Sequence, residues 1–177
     1  MRNQNNCDLL KSDIDRYTKW VNISHGLAVF DVFMVITVQG LGKLDSKLLK
    51  EDQMLIQQGA TSSPVGDVSD HVTLSYLWVL GAYEIIRSLD QRARVDTGFF
   101  PQSREHLQKL KWQFERLRIP LAKFEPARKH SDTDSHIAYP AINTALGVTW
   151  QVSENDWIAR RDLSDSMLNF FESLRNP

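Results

Sequence analysis

The decapeptide ARKHSDTDSH, residues 127–136, holds the densest set of side chains able to move protons or stabilise an anion. A guanidinium can hold a phosphate oxyanion and an imidazole can transfer protons near neutral pH. Arg128 with His130 or His136 therefore has the residue types of an RNA-cleaving site. The alternation His130, Asp132, Asp134, His136 also offers imidazole and carboxylate donors of the kind zinc or manganese accepts. Its spacing matches no metal motif, so the segment reads as a polar surface loop and no metal ligand is assigned. A further polar pair, Glu84 and Arg87, stands three residues apart in an otherwise apolar stretch and can meet on one helix face. It is either a surface ion pair or a pair aimed into a functional groove.

Charge is uneven along the chain. Residues 103–130 carry Arg104, Lys109, Lys111, Arg116, Arg118, Lys123, Arg128 and Lys129 against Glu105, Glu115 and Glu125, a surplus of five, while the rest of the chain runs a deficit of six. A basic helix followed by a basic loop could track a phosphate backbone, and Trp112 would add stacking if RNA were the partner. The alternative is a solvated face whose charges are answered by the acidic remainder. The net charge of -1 over 177 residues implies no global attraction to nucleic acid or to an anionic membrane. No glycine-rich phosphate loop, G-x-S-x-G elbow or Cys-x-x-Cys pair occurs, and no cofactor is implied.

The stretch that must position these groups is VTLSYLWVLGAYEIIRSLD, residues 72–90. It is too long for a strand. Val72, Tyr76, Val79, Leu80, Tyr83 and Ile86 recur at helical spacing, with Leu74, Leu77, Ile85 and Leu89 on a second face. A helix apolar nearly all round belongs at the centre of a fold, so the spacing predicts a central helix over about 70–90, with Ser69 and Asp70 offering N-cap oxygens. Gly81 costs roughly 1 kcal/mol against alanine in mid-helix and points to a second helix crossing closely there. Leu107, Leu110, Phe114 and Leu117 define a basic helix over about 103–118, capped by Ser103, which Pro120 should kink or end. LAKFEPARKH then resumes helical character until Pro126.

Earlier, Leu10, Ile14, Tyr17 and Val21 mark one side of a first helix, and His25 reads as a packed or capping residue. Leu27–Val38 is rich in strand formers but long enough for a helix, which Gly40 and Gly42 should end. Lys47–Gln58 reads as a short helix stopped by Gly59, residues 61–67 as a turn-rich loop and Arg92–Gln102 as a connection. GVTWQV, SEND and WIARRD read as a hairpin over about 147–161. Leu163, Met167, Phe170, Phe171 and Leu174 form the apolar face of a last helix over about 163–175, started by Asp162 or Ser164. The expected architecture is mainly α: one domain over residues 1–177, a helical bundle with a small β-hairpin near the C-terminus. The single cysteine, Cys7, fits a reducing compartment. The polar start lacks a secretion signal, and no apolar run reaches the roughly 20 residues a bilayer requires, so a cytoplasmic protein is expected.

The segment GAYEIIRSL, followed by a basic helix and an Arg/His-bearing turn, resembles the HEPN class of small helical proteins. The resemblance covers about residues 70–136. It implies a helical bundle, often dimeric, in which an R-x(4-6)-H motif near the dimer interface cleaves RNA and a polar residue of an earlier helix assists. By position Glu84 would match that earlier residue, and Arg128 and His136 would lie nearest the motif. Seven residues separate Arg128 from His136 and one separates it from His130, so the motif spacing is not met. Three readings follow: a HEPN-like protein cleaving or binding RNA, of toxin or defence type; a non-catalytic interaction or regulatory module using apolar faces for dimerisation or a protein partner; and, more distantly, a metal-dependent hydrolase using the 130–136 loop.

Overall fold

The computed structural model describes residues 2–58, 68–96 and 98–175, with the backbone alone for residues 2–13 and 58. Cys7, Leu10, Gly59 and the loop expected over 61–67 lie outside what it describes in side-chain terms. Five helices, α1 (Arg2–Gly26), α2 (Val32–Gln58), α3 (Val68–Val95), α4 (Arg104–Lys123) and α5 (Arg160–Ser173), surround one apolar core. A three-stranded antiparallel sheet, β1 (Tyr139–Asn143), β2 (Gly147–Gln151) and β3 (Trp157–Ala159), lies between α4 and α5 in sequence. The architecture is therefore mainly α with a small C-terminal sheet. No helix of the described residues is long and apolar enough to cross a membrane.

Helix α3 is the central element that its composition predicts, packed against α2, α4 and α5. Trp78, Val79, Ala82, Ile86 and Leu89 are buried along it, whereas Leu77 is half exposed. It starts at Val68 and runs to Val95, so Ser69 and Asp70 stand in its first turn instead of capping it, and the expected connection begins four residues later than Arg92. Leu41 of α2 lies against Gly81, where a β-carbon would meet its Cδ2 at 3.1 Å. This is the close crossing that a mid-helix glycine implies.

Several local stop signals are overridden. Leu27–Val29 forms a single 3₁₀ turn, after which α2 runs unbroken through Gly40 and Gly42 to Gln58, absorbing the separate helix expected at Lys47. Gly42 is there for space: a β-carbon would overlap the Cβ and Cγ of Trp20 in α1. Pro120 neither ends nor starts a break, and α4 continues to Lys123. The buried Pro120 ring joins Leu107, Leu110, Phe114 and Leu117 on the core face, so packing outweighs one missing backbone bond. Phe124, in the left-handed conformation at φ 58°, ends the helix instead, and no helix resumes before the 3₁₀ turn Arg128–His130. Ser103 and the start of α5 carry no side-chain cap, and α5 begins at Arg160, ahead of Asp162 and Ser164.

Among the described side chains of α1, Trp20, Ile23 and Ser24 are buried, while Ile14 is 64 % exposed and His25 is exposed in the last turn. The expected face over Ile14, Tyr17 and Val21 is thus rotated from the true core face, which the single Trp20 dominates. The hairpin over Gly147–Ala159 forms with Thr149 opposite Ala159, and Trp150 is buried while Trp157 is exposed. Sequence reading missed β1, whose Pro140 sits opposite Trp150 on an edge strand, the one sheet position that tolerates a residue without an amide proton.

Candidate functional site

Because α4 buries its leucine and phenylalanine stripe, its basic side chains must project from the remaining faces. There most of them meet acids. Lys109 pairs with Glu105 at 2.7 Å, Lys111 with Glu115 at 3.0 Å and Asp90 at 3.5 Å, and Lys123 with Glu125 at 3.6 Å. Arg116 holds both oxygens of the buried Asp134 at 2.8 and 2.9 Å and reaches Asp156 at 2.5 Å. Hydrogen bonding to Asp134, opposed by partial burial and reinforced by Asp156, pushes the guanidinium further up, and Arg116 in turn holds Asp156 below the usual carboxylate range. Arg118 lies 3.6 Å from Glu84 and stacks over the Tyr83 ring at 5.1 Å. Of the eight basic residues between 103 and 130, Arg104, Arg128 and Lys129 alone have no acidic partner among the described residues.

The residues expected to act on a phosphate are only partly assembled. Glu84 and Arg87 form a half-exposed ion pair at 2.7 Å, with Arg118 beside it. Arg128 opens the 3₁₀ turn and His136 follows in the loop before β1; both are exposed, and among the described residues no hydrogen bond or ion pair joins them. Asp134 is committed to Arg116, and His130 faces it only at 4.0 Å. Among the described residues no three His, Cys, Asp or Glu side chains gather so as to hold a metal ion.

What α4 and the 3₁₀ turn do build is a pocket of about 300 Å³, lined by Trp112, Glu115, Ile119, Ala127, Arg128, Lys129 and His130. Trp112 and Ile119 come from α4, about two turns apart, and buried Ala127 anchors the turn across from them. The Lys129 ammonium sits over the Trp112 ring, 2.8 Å from its centroid. Such a cation–π contact contributes on the order of 0.5–1 kcal/mol at an exposed site. Glu115 accepts hydrogen bonds from the Tyr83 hydroxyl at 3.0 Å and from Lys111 at 3.0 Å, both on Oε1. Burial, reinforced by the Glu115 charge, pushes the Tyr83 hydroxyl up to about 12. Sequence reasoning placed Trp112, Arg128 and Lys129 in one functional group but missed Glu115 and Tyr83.

It also missed a buried polar network that fixes α1, α2, α3, β2 and α5 to one another. Arg160, fully buried, donates to Asp45 at 2.6 Å and to Asp52 at 2.8 Å. Asp45 further accepts from Arg16 at 2.6 Å and from the Trp20 indole at 2.9 Å. Burial alone would push Asp45 up, but Arg160 and Arg16 hold it below the usual carboxylate range. Asp52 accepts from the Val148 amide at 3.1 Å and lies 2.7 Å from Nε2 of His71, whose Nδ1 is 2.9 Å from Glu51. Gly147, at φ +77°, lets β2 approach: a β-carbon would overlap the Asp52 carboxylate. Each side chain of the network has a polar partner within the protein, and only the Arg160 Nε lacks one among the described residues, so the network is scaffold. The signal for it was available, since Asp45 and Asp52 stand seven apart, on the same stripe as Leu48 and Leu55.

A second surface stands out by what does not cover it. Val29, Val32, Phe33 and Ile36, at the 3₁₀ turn and the first turns of α2, are 84, 69, 78 and 70 % exposed. They flank the cluster in which Phe30 packs edge-on to Phe99 at 4.5 Å and to Phe100 at 4.7 Å. Arg92 of α3 binds the Phe30 carbonyl at 2.7 Å, and Val95, one turn beyond it, is 89 % exposed. At its edge Asp31 accepts from the Phe33 amide at 2.8 Å. Comparison of the chain with protein-family models, with curated proteins and with solved structures finds no match in any of the three.

Proposed function

We propose that the chain is a non-catalytic interaction module that associates with a second copy of itself through the face of Val29, Val32, Phe33 and Ile36. The exposure of those four adjacent apolar side chains carries the reading. Together they present on the order of 500 Å² of apolar surface, the range in which an exposed patch acts as a contact surface and not as scatter. A stable interface buries roughly 800 Å² per partner, which this patch approaches once Val95 and the rims of Phe30 and Phe100 are included. Asp31 and Arg92, at the edge of the face, keep their charges, but these are of opposite sign and sum to zero, so the face does not select a partner of one charge. An uncharged apolar patch is complementary to itself, and two copies related by a two-fold axis bury it in both at once.

The competing reading, cleavage or generic binding of RNA along α4, has less support. Five of the eight basic side chains are answered by carboxylates of the protein, and Arg128 and His136 share no contact from which to act on one phosphate. Sedimentation velocity over a hundredfold concentration range tests the proposal. The wild-type chain should sediment as a dimer, and Phe33→Glu/Ile36→Glu as a monomer with an unchanged circular dichroism spectrum. A wild-type chain that remains monomeric at the highest concentration refutes it.

A further inference from the structure

The pocket between α4 and the 3₁₀ turn has its own chemistry, independent of the apolar face. Its floor is aromatic and aliphatic, from Trp112, Ile119 and Ala127; one rim is three consecutive basic residues, Arg128, Lys129 and His130; and a carboxylate, Glu115, stands on the other side. We infer that it binds a purine nucleoside monophosphate bearing an amino group, with the base on Trp112, the amino group on Glu115 and the phosphate against Arg128 and Lys129.

Each part follows from a contact. The Trp112 face is a seat for a flat, polarisable group, and it already carries a cation in the form of Lys129. Base–aromatic stacking contributes about 1–3 kcal/mol per base, more than an exposed cation–π contact, so a base displaces the ammonium from the ring. The displaced ammonium, on its four-carbon stem, remains beside Arg128, which has no acidic partner among the described residues. Two cations then face one phosphate at the rim, where charge-assisted hydrogen bonds are strong. Glu115 selects the base. Among the described residues both of its contacts fall on Oε1, which leaves Oε2 to accept from an N–H donor at the edge of a stacked ring. Adenine and guanine each place an exocyclic amino donor on that edge and stack over a larger area than uracil, which offers only its ring N3–H. At about 300 Å³ the pocket stands at the lower end of ligand sites, room for one nucleotide and not for a dinucleotide.

Calorimetric titration of the full chain with AMP, GMP and UMP, and with adenosine and inorganic phosphate separately, tests this. AMP and GMP should bind, and UMP, adenosine and phosphate should each bind at least about tenfold more weakly. Lys129→Ala and Arg128→Ala, both at exposed positions, should each weaken AMP about tenfold, and Glu115→Gln should narrow the preference for AMP over UMP. Trp112→Leu should abolish binding; should that variant lose its fold, the Lys129 and Arg128 variants still decide. A single-stranded adenylate oligonucleotide that displaces AMP from the wild-type chain would assign the nucleotide to a nucleic-acid end, and one that does not would assign it to a free metabolite. No heat from AMP or GMP at concentrations up to about 5 mM, or binding unmoved by both Lys129→Ala and Arg128→Ala, overturns the inference.

Discussion

Arg160→Met is the most informative single perturbation of the scaffold. The side chain it removes is fully buried and bridges Asp45 at 2.6 Å and Asp52 at 2.8 Å, and methionine fills similar space without charge. Removing one partner of a buried ion pair costs about 3–5 kcal/mol, because the carboxylates left behind are neither solvated nor neutralised. Here the lower end applies. Asp45 retains Arg16 and the Trp20 indole, and Asp52 retains His71 and the Val148 amide, so neither carboxylate is abandoned. A loss of about 3 kcal/mol, at a urea slope of about 2 kcal/mol per molar, moves the unfolding midpoint down by about 1.5 M. Equilibrium unfolding in urea, followed by circular dichroism and tryptophan fluorescence, reads it directly. Combining Arg160→Met with Asp45→Asn should cost less than the two singly by at least about 1 kcal/mol, since the second change removes a charge that the first has stranded. An Arg160→Met midpoint within about 0.3 M of wild type would refute the argument that this network holds the helices to the sheet.

Gly147→Ala should destabilise by about 3 kcal/mol or more in the same assay, from a left-handed backbone combined with overlap of the new methyl and the Asp52 carboxylate; a loss under about 1 kcal/mol would mean that the β2 approach is looser than described. Tyr83 should ionise near pH 12 in an ultraviolet titration, and Glu115→Gln should bring it down. Since its folded value lies above the ordinary tyrosine value of 10.0, the Tyr83 contribution to stability is fully present below pH 10 and is lost between pH 10 and 12, a loss that Tyr83→Phe should remove.

What the sequence made legible follows from range. Helices α3, α4 and α5 could be read because their apolar residues recur at a spacing that is itself local, and the hairpin because its two arms and turn are contiguous. The errors came where a distant residue outvotes a local one. Gly42 reads as a helix stop until Trp20 is known to occupy the space beside it, and Pro120 reads as a break until its ring is found in the core. The polar network was hidden for the same reason: Arg160 and Asp45 are 115 residues apart, and no window on the chain contains both. Charge along α4 was readable as a surplus, but which charges look outward depends on Asp90, Asp134, Asp156 and Glu84, none of them on that helix.

That redistribution of charge narrows where chemistry can reside. Within residues 103–130, pairing leaves only Arg104 and the turn holding Arg128 and Lys129 without acidic partners among the described residues, and only the turn also borders an aromatic pocket. A basic stripe long enough to track a phosphate backbone thus contracts to a rim that fits one phosphate. The two exposed features are, moreover, separable from the scaffold. None of Phe33, Ile36, Arg128 and Lys129 shares a hydrogen bond or ion pair with Arg16, Asp45, Asp52, His71 or Arg160 among the described residues. Substitutions at Phe33, Ile36 and Arg128 should therefore leave the unfolding free energy within about 0.5 kcal/mol of wild type, as surface changes usually do, and those at Lys129 within about 1 kcal/mol, since its contact with the Trp112 ring is lost. A loss of dimer or of nucleotide binding there then reports on the surface concerned and not on folding.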